Sequence, residues 1–486
     1  MVRLEDVRRV KEQALKFILP TKEEIEEQNR VIDRLKSHLI KTLEEKGYEF
    51  VGVEAHGSTG IKQTQLRGAS DIDIFVEFPP TAYSHIFKMS RRKRAEEIRR
   101  IFGRIVEDCF KEAAIRAGCS DIKIAYAEHP YLSARYGRFD IDIVGCFYIT
   151  REALMSCGPI TAVDRTPHHS RFIKDALNDA QRNDVRLLKA FFIANHAYGD
   201  KSAVGRCGFT GYSAEVLVYH YGSFENVLLN FDQLAQKPID FFNRPPAQLK
   251  SNPRFKDDFL IIIDPVDPNR NLAASIDRRA YLHIRRMIKE FLENPRVDYF
   301  LRKPIEPLSA DEHRRFRKNT IVVEFRCKSD VHYVIVRDKL YRLASYMTKI
   351  LEREETGEKR FGKVIFEIYF ENGDIYAVAF FIEKPKIPDT FIRRGPPVWA
   401  KEHVKEFLRK HPDAYADRGF YWTRVKRKYT TALSLVKSLL SVEGLERFSL
   451  RDVDIISISK TGTTTVGRKA LAVLVRFILP IEFSSS

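Results

Sequence analysis

Apolar positions recur at helical spacing through the first 46 residues. Val7, Val10, Ala14, Leu15 and Ile18 fall on one stripe, and Ile25, Val31, Leu35, Leu39 and Leu43 on another. Pro20 and Thr21 break and recap the pattern between them. The period then drops to two, which predicts strands at 49–55, 71–78, 122–128 and 139–149, with a basic helix at 91–117 among them. From 170 to 240 the spacing is helical again. Pro238, Pro245, Pro246 and Pro253 then lead into an expected strand, Phe259-Leu260-Ile261-Ile262-Ile263, and a helix at 275–292. Beyond Pro304 and Pro307 the pattern predicts strands at 320–326 and 332–336 and a helix at 338–354. A hairpin is expected at Glu371-Asn372-Gly373-Asp374, because Asn-Gly between alternating apolar runs is a turn signal. Strands at 452–459 and 469–478 close the chain.

This succession of strand-rich and helix-rich stretches predicts an α+β, multidomain protein. At 486 residues it has room for about three domains, and a hydrophobic content of 44% is enough to build cores for them. Lysine and arginine total 83 against 66 acids, a net charge of +17. Such an excess favours a polyanionic partner, since cations gain affinity by releasing the counterions condensed on nucleic acid. The cysteines at 109, 119, 146, 157, 207 and 327 form no C-x-x-C pair and have no histidine at zinc-finger spacing, so reduced thiols are expected. The opening Met1-Val2-Arg3-Leu4-Glu5 is charged at once, and no apolar run reaches membrane-spanning length. A soluble, cytoplasmic protein with no membrane partner is the expectation.

Chemistry concentrates in Asp71-Ile72-Asp73. On a strand the two carboxylates share a face while Ile72, Ile74 and Val76 take the other. An Asp-X-Asp at a strand edge can be merely solvated, but here the Gly57-Ser58-Thr59-Gly60 turn precedes it, and glycine lets backbone N–H groups approach a phosphate. A second strand, Phe139-Asp140-Ile141-Asp142-Ile143-Val144, repeats the alternation and offers a third acid. Like charges held this close call for a cation between them, and carboxylates suit Mg²⁺, which also binds substrate phosphates. Asp71, Asp73 and Asp142 are therefore the candidate catalytic residues and the ligands of two Mg²⁺ ions about 4 Å apart. Asp140, on the same face, is the rival third ligand.

Ordered blocks spanning nearly the whole chain resemble the archaeal type (class I) of CCA-adding tRNA nucleotidyltransferase, a polymerase β-like enzyme. They are Gly57-Ser58 with Asp71-Ile72-Asp73; Tyr126 to Tyr131; Asp142-Ile143-Val144; Ala162 to His169; Val185 to Lys189; Gly208 to Tyr212; Asp264-Pro265-Val266-Asp267 with Arg270-Asn271; Arg393-Arg394-Gly395-Pro396; and Arg427 to Thr431. Two departures stand out. Thr59-Gly60-Ile61 intervenes before Lys62, which leaves open whether Lys62 or Arg67 meets phosphate, and Gly145 stands where the family pattern has proline.

The resemblance implies addition and repair of the 3′-terminal CCA of tRNA without a nucleic-acid template, from CTP and ATP, with pyrophosphate released. It implies a polymerase β-like catalytic domain at 1–155, a mainly helical central domain at 156–300 that reads the base, and a C-terminal α/β body at 301–385 and 434–486. A tail at 386–433 is inserted in that body. Gly57, Ser58, Lys62, Lys189 and Tyr198 would meet the nucleotide phosphates, His129, Thr166 and His169 the ribose and triphosphate, and Arg270 the Watson–Crick edge. The tail, with Arg393, Arg394, Arg427 and Lys428, would grip tRNA along the acceptor stem and T-arm; its mixture of basic and aromatic residues suits backbone contact and stacking on RNA. A homodimer is also an expectation. The rivals are a poly(A) polymerase-like or other RNA nucleotidyltransferase, and an RNA-binding scaffold with a dead catalytic domain.

Overall fold

The computed structural model describes residues 4–328, 331–371 and 373–484. They divide into two compact units, Met1–Gly199 with Gly208–Arg302, and Asp200–Cys207 with Lys303–Ser486. Among the described residues no helix is long and apolar enough to cross a membrane, and all six cysteines are free.

The first unit holds two large cores and a small cluster of Leu249, Phe255, Ile261 and Ile263. The helix Leu4–Ile18 contributes Val7, Val10, Ala14 and Ile18 to a helical core shared with residues 173–300. The next helix, Lys22–Glu45, turns Val31, Leu35, Leu39 and Leu43 toward a sheet instead. The break at Pro20 thus passes the chain from one core to the other. Thr21 secures the restart: its side chain accepts from the Glu24 amide at 3.2 Å, and Glu24 accepts from the Thr21 amide at 2.8 Å. A reciprocal cap of this kind contributes about 1 kcal/mol.

The sheet contains β1 (Gly52–His56), β2 (Asp71–Phe78), β3 (Ser120–Tyr126), β4 (Pro130–Tyr136) and β5 (Phe139–Phe147), in the order β1-β2-β5-β4-β3. Only β2 and β5 run parallel; the other neighbours are antiparallel. The crossover from β2 is helical, as a parallel pair requires. The helix expected at 91–117 is present, Arg91–Ile105 continuing into Lys111–Ala117 through a π-helical turn, Val106–Phe110. The strand β4 was not foreseen. Pro130 and the charged Arg135 obscure an alternation in which Leu132 and Ala134 are buried, although proline is tolerated at the first position of a strand. The apolar run from Phe259 yields strand only at its end. Leu260 to Ile262 are buried in largely irregular backbone, β6 is Ile263–Asp264, and it pairs with β7 (Asp267–Asn271). Short apolar runs predict burial better than they predict strand.

The second unit is built on β8 (Thr320–Cys327), β9 (Val364–Phe370) and β10 (Ile375–Ile382). The expected hairpin joins β9 to β10, its Asn372 lying outside the described residues. The tail segment folds as a small three-stranded sheet of β11 (Thr390–Pro397), β12 (Tyr415–Asp417) and β13 (Phe420–Lys426) with the helix Lys401–Lys410. Finally β14 (Val453–Ser459) completes the larger sheet in the order β14-β8-β10-β9. Two expected strands are helical. Residues 332–336 lead into the helix Tyr333–Glu352, whose buried Val336, Leu340, Leu343, Met347 and Leu351 follow helical spacing despite the β-branched start. Residues 469–478 belong to the helix Thr465–Val473 and a π-helical turn, Leu474–Ile478, packed on β9 and β10. Ala470 to Val475 are buried on every side, so no polar face remained to show a period of 3.6.

Candidate active site

Parallel pairing of β2 with β5 sets Asp71 opposite Asp140 and Asp73 opposite Asp142. Adjacent strands lie about 4.8 Å apart, so each pair brings two carboxylates to one face, while Ile72, Ile74, Ile141 and Ile143 are buried on the other. The two candidates for third acid differ in company. Asp140 is exposed and paired with Arg135 at 3.1 Å. Asp142 and Asp73 are half-buried, and neither forms an ion pair among the described residues. Burial, then the charges of Asp142 and Asp71, push the Asp73 carboxyl up to about 7. Burial also raises Asp142, against a hydrogen bond from Ser133.

The turn after β1 presses on this face. Gly57 has φ +71, and a Cβ there would stand 2.4 Å from Asp73 Oδ2, so position 57 is closed to any side chain on two counts. Thr59 donates its hydroxyl to the Asp71 carbonyl at 2.7 Å. The rest of the loop is tied to two helices, Asp179–Ala194 and Gly211–Tyr221. Arg186 donates to the carbonyls of Gln65 at 2.9 Å and Gln63 at 2.5 Å. Lys62 meets Glu215 at 2.9 Å, Lys189 meets the same carboxylate at 3.0 Å, and Thr64 donates to it at 2.7 Å. Tyr198 borders this group, since a Cβ on Gly211 would lie 2.9 Å from its hydroxyl and 3.2 Å from Lys189 Cε. Arg67 turns elsewhere and donates to the Leu19 carbonyl at 2.8 Å. Of the two basic residues that follow the glycine turn, Lys62 is the one gathered with Lys189.

A third group continues from the lysines. The Lys62 ammonium lies 5.0 Å from the Tyr212 ring centroid, and that ring stacks on His169 at 4.0 Å. Asp264 collects a hydrogen bond from the Tyr212 hydroxyl at 3.0 Å, from Arg270 at 3.0 Å, and contacts His169 Nε2 at 2.7 Å. Burial lowers the His169 imidazole to about 4, against the pull of Asp264. Thr166 lies on the same helix, Arg165–Ala176, one turn before His169. His129 is placed differently. It is buried against the Phe102 ring at 4.2 Å, with Nδ1 3.1 Å from the Pro130 carbonyl.

Sequence reasoning missed Glu215, Thr64, Tyr212 and Asp264 as members of the site. Glu215 carried a signal: it is a lone acid among Ala214, Val216, Leu217 and Val218. A further acidic group, Glu54 and Glu77 with His56, has potential ligand atoms within 4.8 Å of one another. Arg171 bonds both of its carboxylates, so a guanidinium already supplies the cation there.

In the tail, Arg394 and Lys428 are exposed, with Arg394 over the Phe420 ring at 4.8 Å. Arg393 is half-buried over Phe407 at 5.9 Å. Trp399 is 79% exposed. Arg427 faces inward: its side chain is 7% exposed, paired with Glu354 at 2.6 Å and donating to the carbonyls of Thr390 and Pro388.

Residues 183–301 match the family model of the tRNA nucleotidyltransferase second domain, and residues 317–446 that of the CCA-adding enzyme C-terminal domain. The CCA-adding enzyme of Methanosarcina barkeri is 30% identical over 438 residues, 88% of this chain and 88% of its own. That of Methanothermobacter thermautotrophicus is 30% identical over 440 residues, 88% and 87% of the two chains.

Proposed function

The chain belongs to the CCA-adding enzymes, and from that premise we propose how its residues join C, C and A to the 3′ end of tRNA. One observation carries the reading: the β2–β5 register that sets Asp142 beside Asp73 on one face. The donor set fits a hard divalent cation. It offers carboxylate oxygens only, Asp73 and Asp142 have no ion-pair partner among the described residues, and burial together with the neighbouring carboxylates raises their proton affinity. We assign two Mg²⁺ ions to Asp71, Asp73 and Asp142; when bound, they would lower the pKa of the attacking 3′-hydroxyl and offset charge on the departing pyrophosphate.

The other residues bind and orient. Ser58, on the turn held against Asp73, and the ammoniums of Lys62 and Lys189 receive the triphosphate. Tyr198 flanks it. Arg270 presents guanidinium donors to the base edge of CTP or ATP, and Asp264 fixes its orientation. Fixed groups of this kind lower a barrier by positioning and electrostatics, with no histidine base required. Arg394, Lys428 and the exposed Trp399 would contact tRNA through phosphate and stacking, a division of labour consistent with a tail at 386–433 that reads shape more than sequence.

The deciding experiment presents tRNA ending at the discriminator base with each nucleotide in turn and in combination. Two C additions followed by one A and arrest are expected. A run of A without prior C would replace this reading with a poly(A) polymerase-like one.

A further inference from the structure

We propose that Glu215 is a positioning residue for the nucleotide triphosphate: it holds Lys62 and Lys189 side by side as one phosphate-binding pair. The proposal rests on the assignment of those lysines to phosphate. Its basis is geometric. Glu215 is 1% exposed and each oxygen has its own lysine, Lys62 on Oε2 at 2.9 Å and Lys189 on Oε1 at 3.0 Å. Thr64 closes the group by donating to Oε1 at 2.7 Å while accepting from Lys189 at 2.9 Å. The lysines come from different parts of the chain, Lys62 from the loop after β1 and Lys189 from the helix Asp179–Ala194, and Glu215 bonds both. Tyr212 covers Lys62, and the Tyr198 hydroxyl and the Lys189 side chain both border Gly211.

Two lysines and one carboxylate leave a net charge of +1, enclosed, and the Thr64 amide ties the group to the glycine turn by donating to the Ser58 carbonyl at 3.0 Å. Without the carboxylate, two buried ammoniums would face each other with nothing between them. They would separate, or one would lose its proton; Lys189, whose pKa burial already lowers, is the one poised to do so. Either outcome removes a phosphate contact while sparing contacts to base and ribose. A purely structural Glu215 would, by contrast, weaken every part of the nucleotide alike when altered.

The test measures equilibrium binding of CTP and of CMP, with Mg²⁺ present and tRNA absent, to the full-length enzyme and three variants. Glu215→Gln is expected to weaken CTP about tenfold and to leave CMP within twofold. Thr64→Val, which keeps all three charges, is expected to weaken CTP about threefold with CMP unchanged, and it carries the test alone if Glu215→Gln does not fold. Equal losses for CTP and CMP, or wild-type CTP binding in both variants, would overturn the proposal. Lys189→Met separates the two levels of argument. If it binds CTP as the wild type does, the assignment of lysines to phosphate falls, and this inference with it. If it loses CTP affinity while Glu215→Gln and Thr64→Val do not, only the role of Glu215 falls.

Discussion

Asp73 and Glu215 are carboxylates in the same unit with opposite surroundings. Glu215 is enclosed among two lysines and a threonine; burial alone would raise its pKa, yet the charges of Lys189 and Lys62 and the Thr64 hydroxyl hold it below the usual carboxylate range. Asp73 is half-buried among other carboxylates and is raised to about 7. The first acid has its counter-charge built into the protein, and the second leaves it to be supplied from outside. A carboxylate satisfied by the fold holds its neighbours in place, whereas one left without a counter-charge beside other carboxylates marks where a cation goes.

Asp73 carries the largest expected effect on activity. Asp73→Asn should lower the rate of nucleotide addition by more than a thousandfold, a loss of over about 4 kcal/mol in barrier lowering, with tRNA affinity nearly unchanged. Its melting temperature in EDTA should equal or exceed that of the wild type, because one repelling charge has gone. Near-normal addition by this variant would sink the metal assignment. A clear fall in its melting temperature would show that Asp73 has a structural partner after all.

Glu215 should behave in the reverse sense. Removing the shared partner of a buried pair leaves uncompensated charge, typically costing about 3–5 kcal/mol. Denaturant unfolding of Glu215→Leu should show a loss of that size. Substituting Lys189→Met in the same chain should recover part of it, since one stranded ammonium is then absent. An additive double variant would mean that the two residues are not coupled.

How much of this was legible in the sequence follows from the same contrast. The acids of β2 and β5 could be read because each strand repeats with a period of two, so Asp-X-Asp fixes a face without knowledge of anything distant. The capped break at Pro20-Thr21 was equally local. Glu215 stands out as a lone acid in an apolar run, but its role is not readable there, because it depends on Lys62, 153 residues away, and Lys189, 26 away. Arg427 belongs with it: composition placed it among surface cations, and only folding reveals its pairing with Glu354. The strand expected at 469–478 failed for a related reason, since a segment buried on all sides displays no periodic contrast to read.

A buried group with too little compensation can also give up its charge, which sharpens the comparison through pH. His283 lies in the helical core, its Nε2 3.1 Å from the Asn195 carbonyl, and burial lowers its pKa to about 3. In the unfolded chain a histidine titrates near 6.5. As pH falls from about 6.5 toward 3 the unfolded state therefore takes up a proton that the folded state refuses. Stability should drop by up to about 1.4 kcal/mol per pH unit within that window and level off outside it. Unfolding of wild type and His283→Gln across pH 7 to 4 should show the gap between them changing in this sense. A pH-independent gap would mean that His283 takes up a proton as readily in the fold as in the unfolded chain.

The smallest expected effect separates two arginines of the tail. Arg394 is exposed with no ion pair among the described residues, whereas Arg427 is enclosed with Glu354. Each phosphate contact by a cation contributes about 0.7–0.9 to the slope of log affinity against log salt. Arg394→Ala should thus weaken tRNA binding a few-fold, reduce that slope by somewhat less than one, and leave unfolding unchanged. Arg427→Ala should lower the melting temperature, and any loss of tRNA affinity should leave the slope in place, because its charge is already neutralised by Glu354. If Arg427→Ala reduced the slope as much as Arg394→Ala, the pair with Glu354 would have to open when RNA binds, and the two tail arginines would no longer differ in role.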